Sequence, residues 1–141
     1  MIEGIQIIPI KTHEDERGFF REIVRFPEQF TNHSVGQLSH SMVREGVIKG
    51  WHGHVYQSQW NYILMGEAKV ALKDDRVNSP SYGKIQTFEA GDSNHLGYFF
   101  PPGVLHAYHC YVGPMHIIYA TSGIYNPDNE VKFPIIEQIW E

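Results

Sequence analysis

Three histidines stand where their nitrogens could share one small space. His52 and His54 are two residues apart in Gly46-Val47-Ile48-Lys49-Gly50-Trp51-His52-Gly53-His54. On an extended strand that spacing turns both imidazoles to the same face. His106 follows the rigid Pro101-Pro102-Gly103 turn, far along the chain. Two imidazoles from one strand and one from a distant strand are how a β-barrel builds a three-histidine metal site. Such nitrogens suit Zn, Fe, Ni, Cu or Co, with a position left open for water or substrate. Gln59, five residues after His54, is a neutral fourth candidate. The alternatives are surface histidines or hydrogen-bonded core ones, and a lone His-x-His does not separate them; the downstream Pro-x-Gly-x-x-His favours a shared pocket. His13, His33, His40, His95, His109 and His116 are scattered and read mainly as structural or exposed, with His109 and His116 the first exceptions to consider.

The elements that must hold these residues read as β-strands. Gly and Pro recur at short intervals from Gly4 to Pro127, and the stretches between them are rich in β-branched and aromatic residues. Strands are expected at Ile5 to Ile10, Phe19 to Phe26, Val35 to Met42, Trp60 to Met65, Ala68 to Leu72, Ile85 to Phe88, Gly97 to Phe100, Ala107 to Val112 and Met115 to Thr121, with a turn opening at Gly66. Pro27 to Phe30 suits one helical turn, no amphipathic helix of ten residues or more is evident, and the tail Pro134 to Trp140 is ambiguous. Many short strands at this spacing make a sandwich, barrel or jelly roll. Within Val35 to Met42 one face reads Gln37, Ser39, Ser41 and the other Leu38, His40, Met42; the polar face either meets solvent or lines a barrel cavity.

The totals bound the function. A chain of 141 residues, 42% hydrophobic, suits one domain spanning residues 1–141 and can bury a core. Its net charge of −5, with no basic run, gives no reason to expect nucleic acid. The single cysteine, Cys110, excludes an internal disulfide and fits a reducing, cytoplasmic compartment. No stretch approaches the roughly 18 apolar residues of a membrane span, and Met1 to Lys11 lacks the basic start of a signal peptide.

These residues carry a resemblance in two layers. Gly46, His52, His54, Gln59 and Gly66 match the first motif of the cupin superfamily with Gln in place of Glu, and Pro101, Gly103 and His106 match the core of its second, with Cys110 where its final Asn stands. The fold this implies is an all-β cupin jelly-roll β-barrel, a double-stranded β-helix, forming a single cupin domain. More narrowly, Asp15 to Glu22, Gln37 to Ser41, Val47 to His52, Asp75 to Gly83, Phe100 to Tyr108 and Tyr119 to Pro127 resemble, in order, six segments of the dTDP-4-dehydrorhamnose 3,5-epimerase family. Those enzymes invert stereocentres beside the C4 keto group of a nucleotide-linked 4-keto-6-deoxy sugar. That chemistry needs a base, a donor to hold the enolate and an acid on the other face.

The resemblance implies His52 as base and Tyr119 as acid. Arg17, Glu22 and Gln37 would meet the nucleotide, with Arg17 reaching a partner's pocket, while Ser39, Lys49, Gln59, His106 and Tyr125 would belong to the substrate site. It implies no required cofactor, a nucleotide-sugar substrate and a homodimer with exchanged N-terminal strands. The departures are specific. Lys49 replaces the family's Arg and loses its bidentate fork; Gln59 stands at the enolate-holding Lys. The family's C-terminal Asp partner of the base has no counterpart before Glu141, and His54 restores a His-x-His pattern. An alternative reading therefore places a divalent Zn, Ni, Mn or Fe on His52, His54, Gln59 and His106, in a metal-dependent cupin enzyme of another reaction class. A third makes the chain a non-catalytic sugar-nucleotide binding cupin.

Overall fold

The computed structural model describes residues 1–26 and 34–140. Among the described residues ten strands succeed one another: β1 (Gln6–Pro9), β2 (Thr12–Asp15), β3 (Gly18–Arg21), β4 (Gln37–Val43), β5 (Ile48–His54), β6 (Gln59–Asp74), β7 (Ile85–Gly91), β8 (Leu96–Phe100), β9 (Val104–Thr121) and β10 (Glu130–Lys132). One short 3-10 turn, Pro127–Asn129, precedes β10 and is capped by the Asn126 side chain. Eight strands form a single sheet running β1-β8-β6-β9-β5-β10, with β4 also on β9 and β7 also on β6, while β2 and β3 make a separate hairpin. Every named pairing is antiparallel. The fold is a jelly roll.

Two long strands form the spine. β6 and β9 pair along most of their length, from Gln59 opposite Thr121 to Asp74 opposite Val104. The turn expected at Gly66 is instead a bulge inside β6, so that Trp60 to Met65 and Ala68 to Leu72 belong to one strand. Gly66 has φ +84°, and a Cβ there would press on the Val112 carbonyl. The extra residue changes the side-chain parity. Gln59, Asn61 and Ile63 face inward before it, and Ala68, Val70 and Leu72 face inward after it, all buried. Ala107 to Val112 and Met115 to Thr121 likewise join as one strand, β9. Register irregularities let both halves of each spine strand bury an apolar face.

The inner core gathers Val43, Ile63, Val70, Leu72, Tyr98, Phe100, Cys110, Met115 and Ile117. On one outer face Trp60, Tyr62, Phe99 and Ala120 are covered by Ile10, Ile23, Val24 and Phe26. Strand β3 ends at Arg21, so the rest of the Phe19 to Phe26 stretch serves as an apolar cover rather than a strand. A second outer patch, Trp51, Ala71, Leu105 and Ala107, lies under Val131, Ile135, Ile139 and Trp140. The ambiguous tail is thus irregular in backbone but packed. The helical turn expected at Pro27 to Phe30 falls outside the described residues. No helix among the described residues is long and apolar enough to cross a membrane.

Candidate active site

Strand β5 alternates between two environments. Trp51 and Gly53 are buried on its outer side, whereas His52 and His54 turn inward. Gly50 and Gly53 let β5 lie close to its neighbours: a Cβ on Gly50 would collide with Ala107, and one on Gly53 with Leu105. His106 stands opposite His52 in the β5–β9 ladder. The three histidines therefore meet in one cavity of about 220 Å³, with Lys49, Gln59, Tyr119 and Tyr125 also in its wall. Ser41, from the polar face of its strand, lines it too, whereas sequence reasoning missed Asn61, Tyr108, Ile117 and Glu130.

Glu130 matters most among these. Strand β10 pairs with β5, setting Glu130 opposite His54 and Lys132 opposite His52. A Glu130 carboxylate oxygen lies 3.8 Å from His52 Nδ1, within ion-pair range though longer than a hydrogen bond. The same side chain accepts a 3.5 Å contact from the Tyr125 hydroxyl and lies 3.9 Å from Lys132 Nζ. This leaves His52 Nε2 as the nitrogen not directed at the carboxylate. On another part of the wall Tyr119, opposite Ser39 in the β4–β9 ladder, has its hydroxyl 3.3 Å from Ser41 Oγ.

Below them sits an uncharged polar row. Gln59 and Asn61, both nearly inaccessible to solvent, are joined by a 2.8 Å bond from Gln59 Nε2 to Asn61 Oδ1. Gln59 lies beside His54, where its side chain opposes the effect of burial, and Asn61 does the same for Tyr98. The cavity holds its histidines in the neutral form. Burial lowers His52 below its ordinary value, with Glu130 opposing and Lys132, His54 and Lys49 assisting. Burial also lowers His54, with Gln59 and Glu130 opposing. His106 is pushed down to about 3 by burial, with the neighbouring His54 and His52 adding to it. Burial raises Tyr98 and takes Tyr108 up to about 12.

The metal reading meets the geometry poorly. The His106 ring centre is 6.0 Å from that of His52, edge-on, and 6.2 Å from that of His54, which it stacks. Nitrogens of a tetrahedral site must each come within about 2.1 Å of one ion. The His106 ring packs 4.7 Å from Phe100. Among the described residues no group of three or more His, Cys, Asp or Glu side chains is arranged to hold a metal. As they stand, His52, His54, Gln59 and His106 do not fit a metal centre.

Of the residues tied to the nucleotide by resemblance, Gln37 comes nearest the cavity, while Arg17 and Glu22 lie away from it. Gln37 borders it, its Oε1 accepting from the Tyr125 backbone N–H and its Nε2 donating to Ser39. Arg17 is on the β2–β3 hairpin, bonded to Asp15, in a separate surface hollow with His13, Phe19 and Phe20. Glu22 pairs with Arg25 at 2.6 Å. Of the other histidines, His109 packs edge-on against Trp140, and His116 bonds to His40 at 2.8 Å.

Residues 1–137 match the sequence profile of the family described as dTDP-4-dehydrorhamnose 3,5-epimerase. The spore coat polysaccharide biosynthesis protein SpsL of Bacillus subtilis is 38% identical over 138 residues, covering 95% of this chain and 90% of that protein. Among solved structures, the dTDP-6-deoxy-D-glucose-3,5-epimerase RmlC of Legionella pneumophila, in complex with dTDP-4-keto-L-rhamnose, superposes with a TM-score of 0.88 at 25% identity. The match covers 96% of this chain and 75% of that one. NovW, a 4-keto-6-deoxy sugar epimerase of Streptomyces spheroides, superposes with a TM-score of 0.84 at 25% identity, covering 93% and 69%.

Proposed function

The chain belongs to the dTDP-4-dehydrorhamnose 3,5-epimerase family, and from that premise we propose that its cavity epimerises a dTDP-4-keto-6-deoxy sugar by proton abstraction beside the keto group. The observation that carries this reading is the His52–Glu130 pair at the cavity wall. A general base must be neutral at working pH, and burial keeps His52 so. In this reading His52 Nε2 takes the proton from the carbon beside C4, and the C–H electron pair moves into the ring while the carbonyl electrons move onto the C4 oxygen. Glu130 balances the imidazolium that forms, the role of the carboxylate in a His-carboxylate pair. Tyr119 returns a proton to the same carbon from the other side, its hydroxyl oriented by Ser41; the imidazolium then gives its proton to solvent and the tyrosinate takes one back, which restores both residues.

The enolate oxygen needs donors. Gln59 supplies an amide from the polar row, His106 and Lys49 line the same space, and the enclosed setting strengthens each such contact. The bonds of Gln37 to the Tyr125 backbone and to Ser39 support a nucleotide contact by Gln37, with Tyr125 at the sugar. Arg17 and Glu22 belong to the reading only through a homodimer that exchanges its N-terminal strands. The separate β2–β3 hairpin, with Phe19 and Phe20 largely exposed, supports that arrangement. A cytoplasmic setting is supported by the unpaired thiol of Cys110. No cofactor is required.

The test is incubation with a dTDP-4-keto-6-deoxyhexose in deuterated water. Deuterium entering at C3 or C5 is expected; tight binding with none entering would overturn the reading.

A further inference from the structure

We propose that Glu137, outside the barrel and away from the cavity, is a positioning residue for His52: it anchors the strap that holds the Glu130 carboxylate against the imidazole. The proposal rests on the functional reading only in naming His52 the base.

The strap begins with a weak element. β10 has three residues and lies at the end of the sheet, with β5 as its one sheet neighbour. A strand this short has little stability of its own, yet it fixes where Glu130 stands. The segment after β10 secures the register. The Trp51 N–H donates to the Phe133 carbonyl at 2.9 Å and the Phe133 N–H returns a 3.0 Å bond to the Trp51 carbonyl, extending the β5–β10 ladder. The chain then crosses the outer face of β5, where Val131, Ile135, Ile139 and Trp140 cover Trp51, Ala71, Leu105 and Ala107.

Glu137 ties this cover to the strand beneath. One carboxylate oxygen accepts the Trp51 indole N–H at 2.9 Å, and the other accepts from Lys73 Nζ of β6 at 2.7 Å. The Lys73 ammonium also lies 6.0 Å from the centre of the Trp51 ring. The bonds from Lys73 and then Trp51 hold the Glu137 carboxyl at about 2, so it stays charged wherever the enzyme would work. Trp51 is adjacent to His52 and points the other way, so one strand presents its anchor outward and its base inward. Slack in the strap would be felt at the Glu130–His52 contact.

The test is an NMR titration of the His52 imidazole in the full chain, at a temperature where every variant is folded by circular dichroism. The groups facing His52 are Glu130 and Lys132 from β10, and His54 and Lys49 from its own strand, with His106 opposite on β9. Losing the Glu130 carboxylate removes the one influence that raises its pKa. Glu137→Ala should therefore lower the His52 midpoint, as Glu130→Gln does, by an amount on the order of one pH unit. The double variant should fall little further than either single one. Glu137→Gln, whose amide oxygen can still accept from Trp51, should lie between. Ile2→Ala, destabilising through a core site that does not line the cavity, should leave the midpoint in place. An unchanged midpoint in folded Glu137→Ala would make Glu137 structural only. If that variant does not fold, Lys73→Met and Glu137→Gln carry the same comparison, and an unchanged midpoint in both has the same meaning. Deuterium exchange by the wild type is scored separately. Its absence removes the epimerase reading while the titration still decides the strap.

Discussion

His52 Nδ1 lies 3.8 Å from a Glu130 carboxylate oxygen, although the two residues come from strands far apart in the chain that pair at the edge of the sheet. A carboxylate so placed favours the imidazolium and leaves Nε2 to face the reacting carbon.

Glu130→Gln should therefore slow proton exchange with a small effect on nucleotide affinity. Two charges about 4 Å apart interact by roughly 1 kcal/mol in water and 4 kcal/mol near a protein surface, which brackets a fall of about 10- to 100-fold. Single-turnover exchange alongside dTDP binding separates the two quantities. Equal losses in both would mean that Glu130 serves binding instead.

This pair also marks how far the sequence could be read. The jelly roll was legible because strand signatures recur between glycines and prolines, and the cavity because His52, His54 and His106 carry their spacing openly. Asn61 was missed, although it stands two residues from Gln59 in an otherwise apolar stretch and so shares its face of the strand. Gly66 misled because a glycine with positive φ serves a turn and a bulge equally well. Glu130 was hidden for a different reason. Its strand is three residues long, comes after a proline turn and owes its position to the packed tail, a tertiary effect with no local signature. The absence of an Asp counterpart thus pointed to an incomplete base, whereas a carboxylate reaches His52 from a strand beside it.

Tyr119→Phe removes the proton that the acid returns while keeping the ring and its packing. General acid catalysis contributes on the order of 10²- to 10⁴-fold, and epimerisation should fall by that factor. Because His52 would still abstract the proton, wash-in from solvent on the original face should survive better than inversion. Comparing deuterium content with product configuration by NMR checks this; equal loss of both would remove Tyr119 from the acid role.

Gln59→Leu should lower turnover on the order of 10²-fold, the effect of deleting one donor to a developing oxyanion. Gln59 also bonds Asn61 and lies beside His54, so Gln59→Glu provides the contrast: it keeps the shape and places a negative charge beside the enolate. The charged variant should be the slower of the two. Steady-state rates, with dTDP affinity as control, test the order.

Chelation should leave the activity intact. His52, His54, Gln59 and His106 are not arranged as a metal centre, and the roles of the histidines in epimerisation use their protons. Protein purified without a histidine tag and dialysed against EDTA should keep its exchange rate, and added Zn, Ni, Mn or Fe should not raise its melting temperature. A stoichiometric metal by elemental analysis, with activity lost on chelation and regained on reloading, would restore the metal-dependent reading.

Acid sensitivity should begin earlier than carboxylates alone would cause. His106, pushed down to about 3 by burial and its two histidine neighbours, stays neutral in the folded chain where the unfolded chain takes up a proton. Between about pH 6.5 and pH 3 the unfolded state therefore binds the additional proton, so stability falls as pH drops through that window, by up to about 1.4 kcal/mol per pH unit from this group. His52 and His54, also lowered, act in the same direction near the top of the window. Glu137, held at about 2, contributes stability that is lost only as pH falls below the ordinary carboxylate range. Urea unfolding followed from about pH 7.5 down to about pH 3 should show a decline beginning near pH 6.5, and His106→Gln should flatten it while leaving the loss below about pH 4. The exchange rate should share the upper part of this behaviour for a separate reason: the base is lost when His52 is protonated, with a midpoint below 6.5. A rate midpoint at or above 6.5 would mean that the carboxylate outweighs burial in the active protein, and that His52 enters the reaction already charged at neutral pH.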